Sequence, residues 1–185
     1  MREIDCGKHA RARLWVGELP GIRSQCGFPI AQSFPAKPIS GALSRSVALE
    51  MMWPTGPRWL YGLLGATFTP GHASALDVTI CTDDIPGGAF EDALIFSRND
   101  VRMGLLPEYG PAIATALARH PGELQALGAG TLDFNCAAHS EIGSAVAVFR
   151  TLASTVLSVL TAGQPVADDQ IVHLLRSQLF SHEPS

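Results

Sequence analysis

Cys136 and His139, with Asp133 and Glu141 on either side, are the residues of this chain whose types and spacing best suggest chemistry. A thiol, an imidazole and a carboxylate are the groups a small thiol enzyme needs, provided they converge. The same C-x-x-H pair would supply two ligands to zinc, but a closed structural site takes four. Cys6 and His9 form a second such pair far upstream. Spacing alone brings the two pairs no closer, so metal binding at Cys136 and His139 is a secondary alternative and no cofactor is expected. Asp83-Asp84 and Glu91-Asp92 read as solvated loop carboxylates rather than acid–base pairs. No phosphate loop, dinucleotide loop or Gly-x-Ser-x-Gly elbow occurs. The catalytic constellation is incomplete, and the chain reads as non-catalytic.

Composition bounds the rest. A chain of 185 residues, 46% hydrophobic and 16% charged, suits one folded domain with an adequate core. A net charge of −4 lacks the footprint of a general nucleic-acid binder. The four cysteines, at irregular positions, read as free thiols in a reducing compartment, which predicts a cytoplasmic protein. Residues 1–13 are polar and basic, unlike a secretory signal, and Ser144–Gly163 is striped and interrupted by Arg150, so no membrane span is expected.

The elements that must position these residues lie between Phe90 and Gly163. Ala93–Phe96 reads as a short strand and Pro107–His120 as a Pro-opened helix ended by Pro121-Gly122. Gly130–Cys136 reads as a second strand. Ile142–Leu160 keeps one apolar stripe and reads as a long helix closed by Gly163 and Pro165. Upstream, Ser46–Trp53 and Ala75–Thr82 read as strands, whereas Arg58–Thr69 is ambiguous because Gly62 and Gly65 weaken a helix. Residues 1–41 read as a basic, Pro/Gly-rich segment, 42–166 as a single α+β domain, and 167–185 as a C-terminal helix with Asp168 as its N-cap and its end frayed by Pro184.

Two phrases, FSRNDVRMGLLPEYGPAI at 96–113 and LDFNCAAHSEIGSAVAVFRTLASTVL at 132–157, followed by Gln164-Pro165-Val166, resemble domain IV of elongation factor G and related ribosomal protection factors. The resemblance covers residues 90–166 and leaves 54–74 without a counterpart. It implies a two-layer α+β sandwich: a four-stranded, mostly antiparallel sheet with both helices on one face and a left-handed β-α-β crossover. It also implies that His139 sits on an exposed tip loop, with Ser140, Glu141 and Ser144 beside it and Lys8, Arg11 and Arg13 on a basic arm.

Three functional readings follow. The first is a stand-alone module similar to that domain, which binds the ribosome or structured RNA without turnover. The second is a protein-interaction or self-assembling module with no RNA role, dimerising through the C-terminal helix. The third is a small thiol enzyme using Cys136 and His139.

Overall fold

The computed structural model describes residues 1–22, 24–95, 100–162 and 165–180. Phe96, Gly163, Gln164 and Pro184, which carried parts of the sequence reading, lie outside the described residues, as does Arg23.

One mixed sheet dominates. Its strands are β1 (Arg2–Gly7), β2 (Ala10–Val16), β3 (Ile30–Pro35), β4 (Arg45–Thr55), β5 (Arg58–Pro70), β6 (Ala75–Ile80), β7 (Val101–Met103) and β8 (Gly130–Ser140). The spatial order is β1-β2-β4-β5-β8-β6-β3, with β7 also paired to β8. Every pairing is antiparallel except β6 with β8. The expected four-stranded sandwich is therefore corrected to a sheet of eight strands with four helices: α1 (Gly110–Ala118), α2 (Pro121–Leu127), α3 (Val146–Thr161) and α4 (Asp168–Leu179).

The added strands come from places where local signals were weak. Residues 1–16 form the β1–β2 hairpin rather than a solvated arm. Its turn is Lys8-His9, with φ of 50° and 68°. Both positive angles match a two-residue hairpin turn that usually carries Asn-Gly, so the residue types concealed it. Arg58–Pro70, unplaced from sequence, is the longest strand and lies mid-sheet between β4 and β8. Conversely, Ala93–Ile95 is not a strand. Pro107 and Glu108 precede α1, which begins at Gly110 with Pro111 in its first turn, and Pro121 opens α2 instead of simply ending a helix.

Both faces of the sheet are covered. The helices join Leu14, Leu49, Met51, Leu64, Phe68 and Phe134 in one apolar cluster. The opposite face holds Trp15, Met52, Tyr61, Leu63, Cys136 and Ala138, covered by Ile22, Ala93 and Ile95 from loops. A disulfide between Cys26 and Cys81 fastens the first of these loops to the end of β6. This corrects the expectation of four free thiols. Asp83 holds the same loop. It accepts hydrogen bonds from Ser24 Oγ, Gln25 N (3.2 Å) and Gly27 N (3.1 Å), and so is a structural carboxylate rather than a solvated one.

Helix α3 lies against β4 and β5 and touches the other three helices or their strands through its buried face. Its approach is set by Gly62. A Cβ there would stand 2.7 Å from Val148 Cγ1 and 3.0 Å from Leu152 Cδ1, so only a missing side chain admits the helix. Substituting Gly62→Val is expected to cost about 2 kcal/mol or more through overpacking. Urea denaturation measures this, and an unchanged midpoint would contradict the packing.

Candidate functional site

The structure separates the residues that sequence placed together. β8 carries a bulge: the register with β5 shifts between Gly65 and Thr67, so two residues of β8 oppose one of β5. The bulge takes Cys136 off the face of Phe134 and onto the loop-covered one, and His139, three residues further on, alternates to the helix side, its ring 6.2 Å from that of Tyr109. The thiol and imidazole thus lie on opposite faces and form neither a catalytic nor a metal pair. Among the described residues, no group of three or more His, Cys, Asp or Glu is placed to hold a metal ion.

His139 is 1% exposed, which corrects the expected exposed tip loop. It belongs to the last turn of an interior strand because β8 runs on to Ser140, four residues beyond the expected end at Cys136. Its Nδ1 lies 3.0 Å from the Gly104 carbonyl and donates to it, while Nε2 is buried without a partner among the described residues. Ser140 is buried too. Its Oγ accepts from Ile142 N (3.3 Å) and Gly143 N (3.0 Å), shaping the turn that follows β8. Ser144 Oγ accepts from Ser140 N and donates to the Tyr61 carbonyl, both at 2.8 Å, pinning the entry of α3 to β5. Glu141 is exposed and paired with Arg102 at 3.2 Å. These residues build a strand-to-helix corner, and their polar atoms are used within it.

The three cations also divide. Lys8 and Arg11 are exposed on the hairpin. Arg13 is not on a free arm: its side chain is 13% exposed and bridges Glu3 (3.1 Å), Asp92 (3.4 Å) and Glu50 (3.6 Å). Register accounts for this, since Glu3, Arg13 and Glu50 are directly opposite one another on β1, β2 and β4.

Glu50 is the charged group that sequence reasoning missed, and it is fully buried. Its Oε1 accepts from Tyr61 Oη at 2.8 Å and from Leu94 N at 2.9 Å. Its Oε2 has only the longer ion pair with Arg13. Burial pushes the carboxyl up to about 6, against the opposing pull of those donors and of Arg13. The visible signal was a lone Glu in the apolar run VALEMMW, on the same side as Ala48 and Met52. The cluster clamps the 92–94 segment over the sheet. It reads as structural.

Neither free cysteine is a ready nucleophile. Burial pushes Cys136 up to about 12 and, as the leading cause, Cys6 up to about 11. Helix α4 buries Ile171 and Leu175 within its own chain, and Arg176 donates to the Cys6 carbonyl and lies over Trp53. Its apolar stripe therefore packs on its own domain, one of the two placements open to a terminal helix.

Two concave surfaces stand open: one along the β1–β2 hairpin is lined by Glu3, Asp5, Lys8, His9 and Arg11, and the other is mainly apolar. Where β2 ends and β4 begins, a groove of about 700 Å³ runs between the sheet and the end of α3. Leu14, Val47, Leu160 and Val166 form its floor and are buried. Met1, Val16 and Leu43 at its rim are 68%, 67% and 73% exposed. Among the described residues no carboxylate lines it, while Arg2 and Arg45 do.

Two outcomes test these assignments. The native protein is expected to expose no fast-reacting thiol, and the unfolded, unreduced protein to expose two of its four, measured with a thiol-specific chromogenic disulfide. Four thiols on unfolding would remove the Cys26–Cys81 bond. For Glu50 the folded value lies above the ordinary 4.5. The proton is therefore held more tightly in the folded state, and this contribution is full below about pH 4.5 and lost as pH rises through about 6. The stability of the protein minus that of Glu50→Gln is expected to fall by about 2 kcal/mol across that window. A difference that does not vary with pH would contradict the assignment.

No family model, curated protein or solved structure matches the chain. The likeness to the translocase domain rests on the two sequence phrases alone.

Proposed function

We propose that this chain is a non-catalytic binding module whose contact surface is the groove between β2, β4 and the end of α3. The observation that carries the reading is the gathering of exposed Met1, Val16 and Leu43 around one apolar concavity. Isolated exposed apolar side chains are ordinary on protein surfaces. Several around a groove of this size, with few polar groups, mark a binding site. Among the three functional readings this is nearest to the interaction module without an RNA role, with the surface moved from the C-terminal helix to the groove.

A ribosome or RNA contact through His139 has less support. That ring is sealed beneath helices, Ser140 and Ser144 satisfy the local backbone, and Arg13 is held by three carboxylates. The thiol-enzyme reading meets a buried, high-pKa Cys136 facing away from His139. No helix among the described residues is long and apolar enough to cross a membrane. The cytoplasmic expectation rests on four free thiols, and the Cys26–Cys81 disulfide takes away that ground, since such bonds persist in oxidising compartments.

The test uses a neutral apolar fluorophore, N-phenyl-1-naphthylamine, on the full chain. Saturable one-to-one binding is expected, with near-UV circular dichroism unchanged, and Leu43→Glu should weaken it at least about tenfold, about 1.4 kcal/mol. Lack of saturable binding, or equal binding by that variant, would overturn the groove. Salt-sensitive binding of a ribosomal RNA fragment lost with Lys8→Glu and Arg11→Glu would favour the RNA reading instead.

A further inference from the structure

We infer that the groove takes an amphipathic carboxylate, with its alkyl chain along the apolar floor and its head group on Arg45. This rests on the groove being the contact surface and adds the chemistry of what enters it. The chain carries a net charge of −4, yet no carboxylate is among the described residues lining the groove, and two guanidinium groups are. A neutral apolar ligand would call for neither feature.

The two cations differ in availability. Arg2 is paired with Asp168 at 3.2 Å and donates to the Val166 carbonyl. Arg45 donates through Nη1 to the Leu160 carbonyl at 2.9 Å and, among the described residues, has no carboxylate partner. That single bond fixes the guanidinium at the mouth of the groove and leaves further N–H donors, in a planar fork suited to a carboxylate. An uncompensated cation at the edge of an apolar concavity favours a monoanion whose other end is hydrocarbon. Leu14, Val47, Leu160 and Val166 supply the complementary floor, and the volume of about 700 Å³ lies in the range of small-molecule sites. Binding is non-covalent, so no bond is made or broken.

The experiment is isothermal titration of the full chain with dodecanoate below its micelle concentration, and in parallel with dodecanol. Dodecanoate is expected to bind one-to-one, and Arg45→Gln to weaken it about tenfold while leaving dodecanol unchanged. Arg45→Gln is too short to keep the bond to the Leu160 carbonyl, so the dodecanol arm reads any disturbance of the groove that this loss causes. Arg45→Lys, which restores the charge, should recover most of the affinity. Failure of dodecanoate to bind while the neutral fluorophore still does would overturn the carboxylate and spare the groove. Equal weakening of acid and alcohol by Arg45→Gln would show that Arg45 acts through structure alone, and would overturn its role as head-group partner. Dodecanoate binding that is insensitive to Arg45→Gln would overturn that role as well.

Discussion

The contact on which this structure depends is the seating of α3 against the centre of the sheet. Phe149, Leu152, Ala153, Val156 and Leu157 are fully buried, and the helix reaches β5 closely enough that Gly62 has room for no side chain. Everything else is arranged around that depth. α1 packs beside α3, with Tyr109 stacked on Phe149 at 4.5 Å between ring centroids. The start of α3 is tied to β5 by Ser144, and its end to β4 by Arg45. Because the helix ends while the sheet continues, the last residues of β2 and the first of β4 lack a helical cover. The groove is a consequence of that mismatch in length.

The same packing explains the loss of the expected tip. Extending β8 to Ser140 pairs its last residues with β7 on one side and, just before them, with β5 on the other. A histidine on a strand flanked by two others and roofed by a helix pair is interior by construction. On the opposite face, Glu50 and Arg13 do a comparable job with charge, holding a loop where no helix packs. Burying that carboxylate costs stability when it is ionised, and its three neighbours offset only part of the cost.

What the sequence disclosed follows the strength of its periodic signals. The stripe read over Ile142–Leu160 gave α3, although the helix begins only at Val146 and leaves Ile142 exposed, and the alternation of Leu76, Val78 and Ile80 gave β6. β5 was illegible because Tyr61 to Ala66 are buried on both faces, so nothing alternates, and its glycines mimic a broken helix while serving close approach. Ile4 and Cys6 against Glu3 and Asp5 did alternate, but Lys8-His9 disguised the turn. The bulge in β8 left no local mark, though the three-residue step from Cys136 to His139 on one strand is enough to part them by alternation. The site was less legible than the fold. Val16 comes beside Leu43 and Arg45 only through the pairing of β2 with β4, which no spacing along the chain records.

The central claim is that this molecule meets its partner at the groove and not at the His139 corner. The two lie at opposite ends of α3, about 24 Å apart for a helix of its length. Amide shift mapping by NMR during titration with N-phenyl-1-naphthylamine therefore distinguishes them directly. Changes confined to residues 1–2, 14–17, 43–47, 159–160 and 166 are predicted. Changes centred on residues 139–144, or spread evenly over the sheet, would contradict the account.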